Sequence, residues 1–403
     1  MSAVREEGTG GASAVVADQT PPPAGRGSWI VRDVRPQDRE AVLALLERGW
    51  DVRRRRDCDF FWDWKHALDR TTTHPGHVAQ VLEREGRLLA YAGTLPARFR
   101  LDGEMVEGAY CCDLIAGPDD RGSGLRLMKH LLATCAFLFG SSNDRTQVLW
   151  ERLVGRGTLT VRRARKMVLV LDPGPALRAR GVPAVAVAAA RAANRVLRMI
   201  HGLTASGGLP DGWTLENATA FPAEIDVLCA EFARRFRFQV ARDRAYLDWR
   251  FTACPLRYRI VLLRERGTLR GYMVCRVAQL NGRRVLLLVE MIAAGGADRS
   301  YGILLHRLMA EAREAGAAEI QTIDTGDPAL LRAMRRAGFM RRAQRLSIMA
   351  YAGPGRATPD GLYGPDGWYV GLGDSEFEFT FFRQGADGQV ADGAATERAG
   401  GPE

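Results

Sequence analysis

Apolar and polar positions divide this chain into two stretches that follow one plan. In the first, residues 29–34 alternate as a strand. Residues 38–47 carry Val42, Leu43, Leu45 and Leu46 on one side, at helical spacing. Strands are predicted next over 77–83, 87–95 and 106–115, then a strongly apolar helix over 125–139. In the second stretch, strands are predicted over 260–265, 271–278 and 284–292. A helix over 303–315, a strand over 319–323 and a last helix over 327–337 follow.

Residue types repeat along with the order. Phe61-Trp62-Asp63-Trp64-Lys65 leads to Pro75 and then to Gly86 and Tyr91; Tyr246-Leu247-Asp248-Trp249-Arg250 leads to Pro255 and then to Gly267 and Tyr272. Leu101-Asp102-Gly103 matches Leu280-Asn281-Gly282 as a hairpin turn. The following strands end at Asp113 and Glu290, and Arg121 and Arg299 then open the amphipathic helices. Shared order, spacing and type predict an internal duplication. The predicted fold is α/β, with a mixed sheet in each of two units, 28–172 and 213–384.

Outside the units the pattern weakens. Residues 1–27 and 385–403 lack apolar periodicity and read as disordered tails. Residues 173–212 read as a helical connector, with Arg191, Arg195 and Arg198 on the polar side of a helix over 182–200. An interfacial, membrane-docking helix is the alternative there, and an apolar face made mostly of alanine speaks against it. Residues 368–379 alternate like a C-terminal strand.

With 403 residues, 46% hydrophobic and 26% charged, the chain can bury two cores. Its net charge is +10, and arginine supplies all but three of the 57 positive side chains, the lysines being Lys65, Lys129 and Lys166. Codon bias accounts for such a preference, and so does an anionic ligand such as CoA or a nucleotide sugar. Nucleic acid is not expected, because Arg53 to Arg56 is a short run without a basic and aromatic strand pattern. The start has no apolar leader, and residues 181–190 are too short to span a bilayer. The seven cysteines show no zinc or redox spacing and read as reduced thiols, so the expected compartment is the cytoplasm. The six histidines form no metal spacing either, and no metal is expected.

The most informative segment runs from Asp113 through Pro118 to Arg121-Gly122-Ser123-Gly124-Leu125-Arg126. A strand enters a glycine turn that opens a helix. Glycines let a backbone approach closely, and the free N–H groups and dipole of a helix start favour an anion such as a pyrophosphate. This segment resembles the acyl-CoA-binding signature of the GNAT superfamily of N-acetyltransferases, with Arg126 departing from the small residue usual at the end. The resemblance implies two GNAT-like units and a CoA pyrophosphate held at Arg121, Gly122, Ser123, Gly124, Leu125 and Arg126. It also implies a pantetheine arm along Leu114, Ile115 and Ala116. The second unit keeps Arg299 and Gly302 but lacks the proline and two small residues, although its Asp327-Pro328 to Gly338-Phe339 ending resembles the family's.

For catalysis the family places an acid on the strand before the turn, which here means Asp113 and, by repetition, Glu290. Each also reads as a plain hydrogen-bonded strand residue. No tyrosine occupies the family's usual general-acid position, which leaves Tyr110 and Tyr91 as candidates. Cys111 and Cys112 have no positioned histidine and read as packing residues; His130 reads as a core histidine. The ending around Trp368 and Gly373-Asp374-Ser375 is similar to that of tandem acyltransferases from bacterial polysaccharide gene clusters; related proteins occur in natural-product clusters. The expected activity is transfer of a short acyl group from acetyl-CoA or another acyl-CoA to an amine of a small polar or sugar-like acceptor. The alternatives are a Fem-like aminoacyl-tRNA-dependent ligase and a non-catalytic acyl-CoA-binding scaffold.

Overall fold

A computed structural model describes residues 28–49, 52–66, 79–117, 120, 122–142, 150–154, 160–203, 209–280, 282–294, 298–354, 358–364, 366–374 and 377–381. Both tails, Pro118, Arg121 and Asn281 lie outside the described residues. The first half contains β1 (Trp29–Asp33), α1 (Arg39–Gly49), α2 (Val52–Phe60), α3 (Trp62–His66), β2 (Gln80–Arg84), β3 (Arg87–Leu101), β4 (Glu104–Ala116), α4 (Ser123–Thr134), β5 (Phe137–Ser142) and β6 (Thr160–Val170). A connector of α5 (Gly174–Arg178) and α6 (Ala184–Leu203) follows. The second half contains β7 (Trp213–Ala218), α7 (Ile225–Ala233), β8 (Phe238–Val240), α8 (Arg244–Leu247), β9 (Arg259–Glu265), β10 (Thr268–Leu280) and β11 (Arg283–Ala293). It ends with α9 (Asp298–Glu314), β12 (Glu319–Ile323), α10 (Pro328–Arg336), β13 (Met340–Ala352) and α11 (Phe377–Phe381).

One sheet joins the halves. Its order is β1-β2-β3-β4-β5-β13-β6-β12-β11-β10-β9-β7, with β8 added beside β3. The order is a palindrome: β4 and β5 are parallel, as are β11 and β12. At the centre the last strands have changed places. β13 pairs with β5 of the first half, and β6 pairs with β12 of the second. Each half therefore completes the other's sheet, which covers an edge that would otherwise expose unpaired backbone groups.

The repeat holds residue by residue. Tyr91 is paired with Ile115 and Tyr272 with Ile292; Gly93 is paired with Asp113 and Val274 with Glu290. Just before each acid the register shifts by one residue, at Cys112 and at Val289. Such bulges re-aim the side chains that follow them.

Two layers of helices cover the sheet. On one face Trp64, Phe99, Tyr110, Phe139, Trp249 and Trp368 lie in a single aromatic-rich core shared by both halves. On the other, α4 packs on β3, β4 and β5 through Leu127, Met128 and Leu131, while α9 and α10 cover the second half.

Two expectations are corrected. The predicted helix over 125–139 ends at Thr134, and Phe137, Leu138 and Phe139 belong to β5, buried on both faces of the sheet. A fully buried strand has no alternation to separate it from an apolar helix. The predicted strand over 368–379 is absent among the described residues. Trp368 makes only an isolated bridge to Phe238, Tyr369 to Asp374 carry no strand, and 377–381 are helical. Trp368, Tyr369, Val370 and Leu372 are all buried, so this apolar segment is set by tertiary packing. Among the described residues no helix is long and apolar enough to cross a membrane.

Candidate active site

β4 pairs with β5 only through Ala109, Tyr110 and Cys111. Beyond them Leu114, Ile115 and Ala116 are paired on the other side, with Ala92, Tyr91 and Ala90 of β3. The two parallel strands thus part at the bulge, which leaves a notch bordered by the candidate pantetheine residues.

Gly117, Asp120 and Gly122 are the described residues between β4 and α4. The Gly117 amide donates to the Leu89 carbonyl, and the Ser123 hydroxyl donates to the Asp120 carbonyl at 3.0 Å. Gly122 stands before the helix at φ 96°, a conformation that suits glycine, and faces open space. Gly122 has no side chain with which to cap α4, no described side chain caps it, and the Gly124 and Leu125 amides belong to a first turn whose N–H groups have no acceptor within a helix. Gly124 serves packing: a Cβ there would stand 3.1 Å from the Ala116 Cβ. Leu125 is exposed. The Arg126 guanidinium lies over the Trp29 ring, 4.9 Å from its centroid.

Asp113 is buried under this notch. Lys65 Nζ donates to its Oδ2 at 3.0 Å, and the Cys58 thiol lies 3.9 Å from the same oxygen. Tyr91 is buried nearby with its hydroxyl 3.1 Å from His66 Nε2; burial first, then the charge of Asp113, holds its pKa well above the usual range. Burial, and then Asp113, pushes the Cys111 thiol up to about 12, so it stays protonated.

Glu290 occupies the equivalent place in the second half but in different company. Tyr369 donates to its Oε1 at 2.9 Å, and Arg242 Nε donates to the same oxygen at 3.2 Å. Arg242 also donates to Asp374 at 2.6 Å. Burial and the Glu290 charge raise Asp374 to about 6, against the pull of Arg242. Tyr110 points into this neighbourhood. Its hydroxyl is 3.2 Å from that of Tyr246, and burial holds its pKa well above the usual range. The candidates therefore form two groups, Asp113 with Tyr91 and Tyr110 with the Glu290 network.

The second notch is closed by the chain itself. Past the last β11–β12 pair, Gly373 donates its amide to the Val289 carbonyl at 2.9 Å. Gly371 packs on Glu290 so tightly that a Cβ would lie 3.0 Å from the carboxylate. The turn differs as well. Tyr301 stands where the first half has Ser123, and its buried hydroxyl donates to Asp327 at 2.5 Å. Asp298 already puts a carboxylate in the first turn of α9.

Lys65, Arg242 and Tyr369 have no role assigned from the sequence, and Asp374 enters there only as part of the Gly373-Asp374-Ser375 ending. Lys65 carries a faint signal as one of three lysines in an arginine-rich chain. The others are brought to Glu290 only by folding. Among the described residues no His, Cys, Asp and Glu cluster could hold a metal ion.

No protein-family model matches this sequence, and no curated protein matches it. Solved structures do. The chain is similar to a GCN5-related N-acetyltransferase from Kribbella flavida, with a TM-score of 0.53 and 14% identity over 81% of this chain and 71% of that one. A GCN5-related N-acetyltransferase from Anabaena variabilis gives 0.51 and 10% over 81% and 73%. Saccharomyces cerevisiae N-myristoyltransferase with bound myristoyl-CoA gives 0.52 and 14% over 88% and 87%. The fold is therefore the GNAT fold, a mixed α/β architecture. With the palindromic sheet, two GNAT-like units account for nearly the whole described chain.

Proposed function

We propose that this protein is an acyl-CoA-dependent N-acyltransferase whose donor site lies in the first unit. The units are 28–172 and 213–384, joined by the connector 173–212, with their final strands exchanged. One observation carries the reading: among the described residues β4 and β5 part at the bulge beside a helix start that no side chain caps, whereas the matching notch in the second half is filled by residues 371–373. The N-acetyltransferases and N-myristoyltransferase of the same fold support the reaction class.

In this reading the Gly122 turn and the Gly124 and Leu125 amides receive the pyrophosphate of acetyl-CoA or another short acyl-CoA. Arg121 and Arg126 add charge at its edge. Leu114, Ile115 and Ala116 line the pantetheine arm. Asp113, held by Lys65, takes the proton of the attacking amine directly or through a water. The acceptor is an amine of a small polar or sugar-like molecule. The Glu290 network shapes the acceptor side from the second unit.

The test is isothermal titration with acetyl-CoA, a longer acyl-CoA and free CoA, with aminoacyl-tRNA as the contrast. Leu125→Glu sets a carboxylate beside the first-turn amides at an exposed position, where it also suits the helix dipole and spares the fold. Acyl-CoA affinity should fall roughly tenfold or more, about 1.4 kcal/mol. Ile303→Glu, the counterpart in α9, should leave it unchanged. Equal losses at both positions, or binding of aminoacyl-tRNA alone, would overturn the proposal.

A further inference from the structure

The connector helix α6 presents its apolar side to solvent. Val187 is buried, the Asn194 side chain donates to the Leu171 carbonyl at 3.0 Å, and Arg191 holds Asp172 at 2.6 Å. These residues fasten one face of the helix to the body. The opposite face carries Val185, Ala189, Ala192, Val196 and Met199, in alternating steps of four and three that keep them on one stripe. Val185 is 83% exposed, Val196 57% and Met199 62%. A helix stripe of this kind is ordinarily buried.

Charge identifies the occupant. From residue 174 to residue 203 there is no aspartate or glutamate. Arg178, Arg191 and Arg195 border a groove floored by Ala188 and Ala192, beside the stripe, and Arg180 is exposed close by. Pairing with a second copy would bring Arg195 flanks together with no acid in either helix to offset them. An anionic surface matches both features, apolar contact for the stripe and negative headgroups for the arginines.

We propose that α5 and α6 form a membrane-surface docking element: α6 lies in the plane of an anionic bilayer, with Val185, Val196 and Met199 inserted at the headgroup boundary. The alanine content of the face, which argues against this at the level of sequence, makes the attachment shallow and dependent on charge. Reversible recruitment to acidic lipid follows. It is independent of the acyl-transfer reading.

The test is co-sedimentation of the full chain with vesicles of phosphatidylcholine alone and of phosphatidylcholine mixed with phosphatidylglycerol. Binding should appear with the acidic vesicles and weaken as salt rises. The double variant Val196→Asp with Met199→Asp changes exposed positions only, and should bind acidic vesicles roughly tenfold more weakly or worse. Its circular dichroism and melting temperature should match the parent's. Arg195→Glu should also weaken binding and flatten the salt dependence. Equal binding to both vesicle types, parent-like binding by the double variant, or no binding to acidic vesicles would overturn the proposal. So would a dimer in light scattering that Val196→Asp dissociates in the absence of vesicle binding.

Discussion

Trp64 and Trp249 stack face to face at the junction of the two halves, with ring centroids 4.9 Å apart and planes 6° from parallel. The contact is reciprocal. The Trp64 indole donates to the Trp249 carbonyl at 2.9 Å, and the Trp249 indole donates to the Trp64 carbonyl at 3.3 Å. Equivalent residues of a repeat can meet this way only at its symmetry axis, and here they tie the halves together inside one core.

Each tryptophan should therefore be costly to truncate and should depend on the other. Trp64→Ala and Trp249→Ala are each expected to destabilise by about 3–5 kcal/mol. The double variant should cost less than their sum by about 0.5–3 kcal/mol, the coupling of residues in contact. Urea unfolding of the four proteins measures it. Strict additivity would mean that the stack joins two independent domains without coupling them.

The ion pair of Lys65 and Asp113 separates a catalytic role from a structural one. Asp113→Asn is expected to lower turnover by about 10²–10⁴ while acyl-CoA binding persists. The same change leaves the buried Lys65 charge without its carboxylate, so a second variant is needed. Lys65→Met combined with Asp113→Asn removes that charge and should restore stability without restoring turnover. Normal turnover in the double variant would reduce Asp113 to a partner for Lys65.

Asp374 gives a pH dependence with a definite sign. Its folded-state pKa, about 6, exceeds the ordinary 3.8. The folded state then binds the proton more tightly, and the stability this contributes is fully present below pH 3.8. It is lost as pH rises through about 6. Asp374→Asn cannot titrate there. The melting temperature of the parent, minus that of the Asn variant, should fall as pH rises from about 4 to about 7. A flat or rising difference would place the proton elsewhere in the Arg242 network.

Glu378 behaves oppositely. Burial would raise its pKa, but Arg276 and Arg250 more than offset this and hold it below its ordinary value. Arg250 and Tyr258 each donate to its Oε1 at 2.5 Å, and Arg276 donates to its Oε2 at 2.6 Å. Its stabilisation is therefore present above the ordinary carboxylate pKa and disappears on acidification. Glu378→Gln leaves two buried guanidinium groups short of a charge and should cost about 3–5 kcal/mol in chemical denaturation. A loss below 1 kcal/mol would show that the C-terminal helix is not an anchor, since that is about the value of an exposed pair.

The duplication, the paired acids Asp113 and Glu290, the glycine turn before α4 and most strands could be read from the sequence, because each rests on local spacing or on a motif repeated along the chain. Aromatic and apolar runs were less legible. Phe137 to Phe139 read as helix, since full burial erases the alternation that marks a strand, and the Trp368 segment read as strand because it alternates, although tertiary packing does not supply the strand pairing. Three matters were decided only by tertiary structure. The exchange of β6 and β13 depends on which edge each strand meets, and strands with two buried neighbours carry no mark of their partner. The difference between the notches depends on residues 371–373 returning to β11 from far along the chain. The outward face of α6 depends on which side Val187, Arg191 and Asn194 fasten to the body. The helix has apolar side chains on both sides, so its sequence alone does not say which of them water meets.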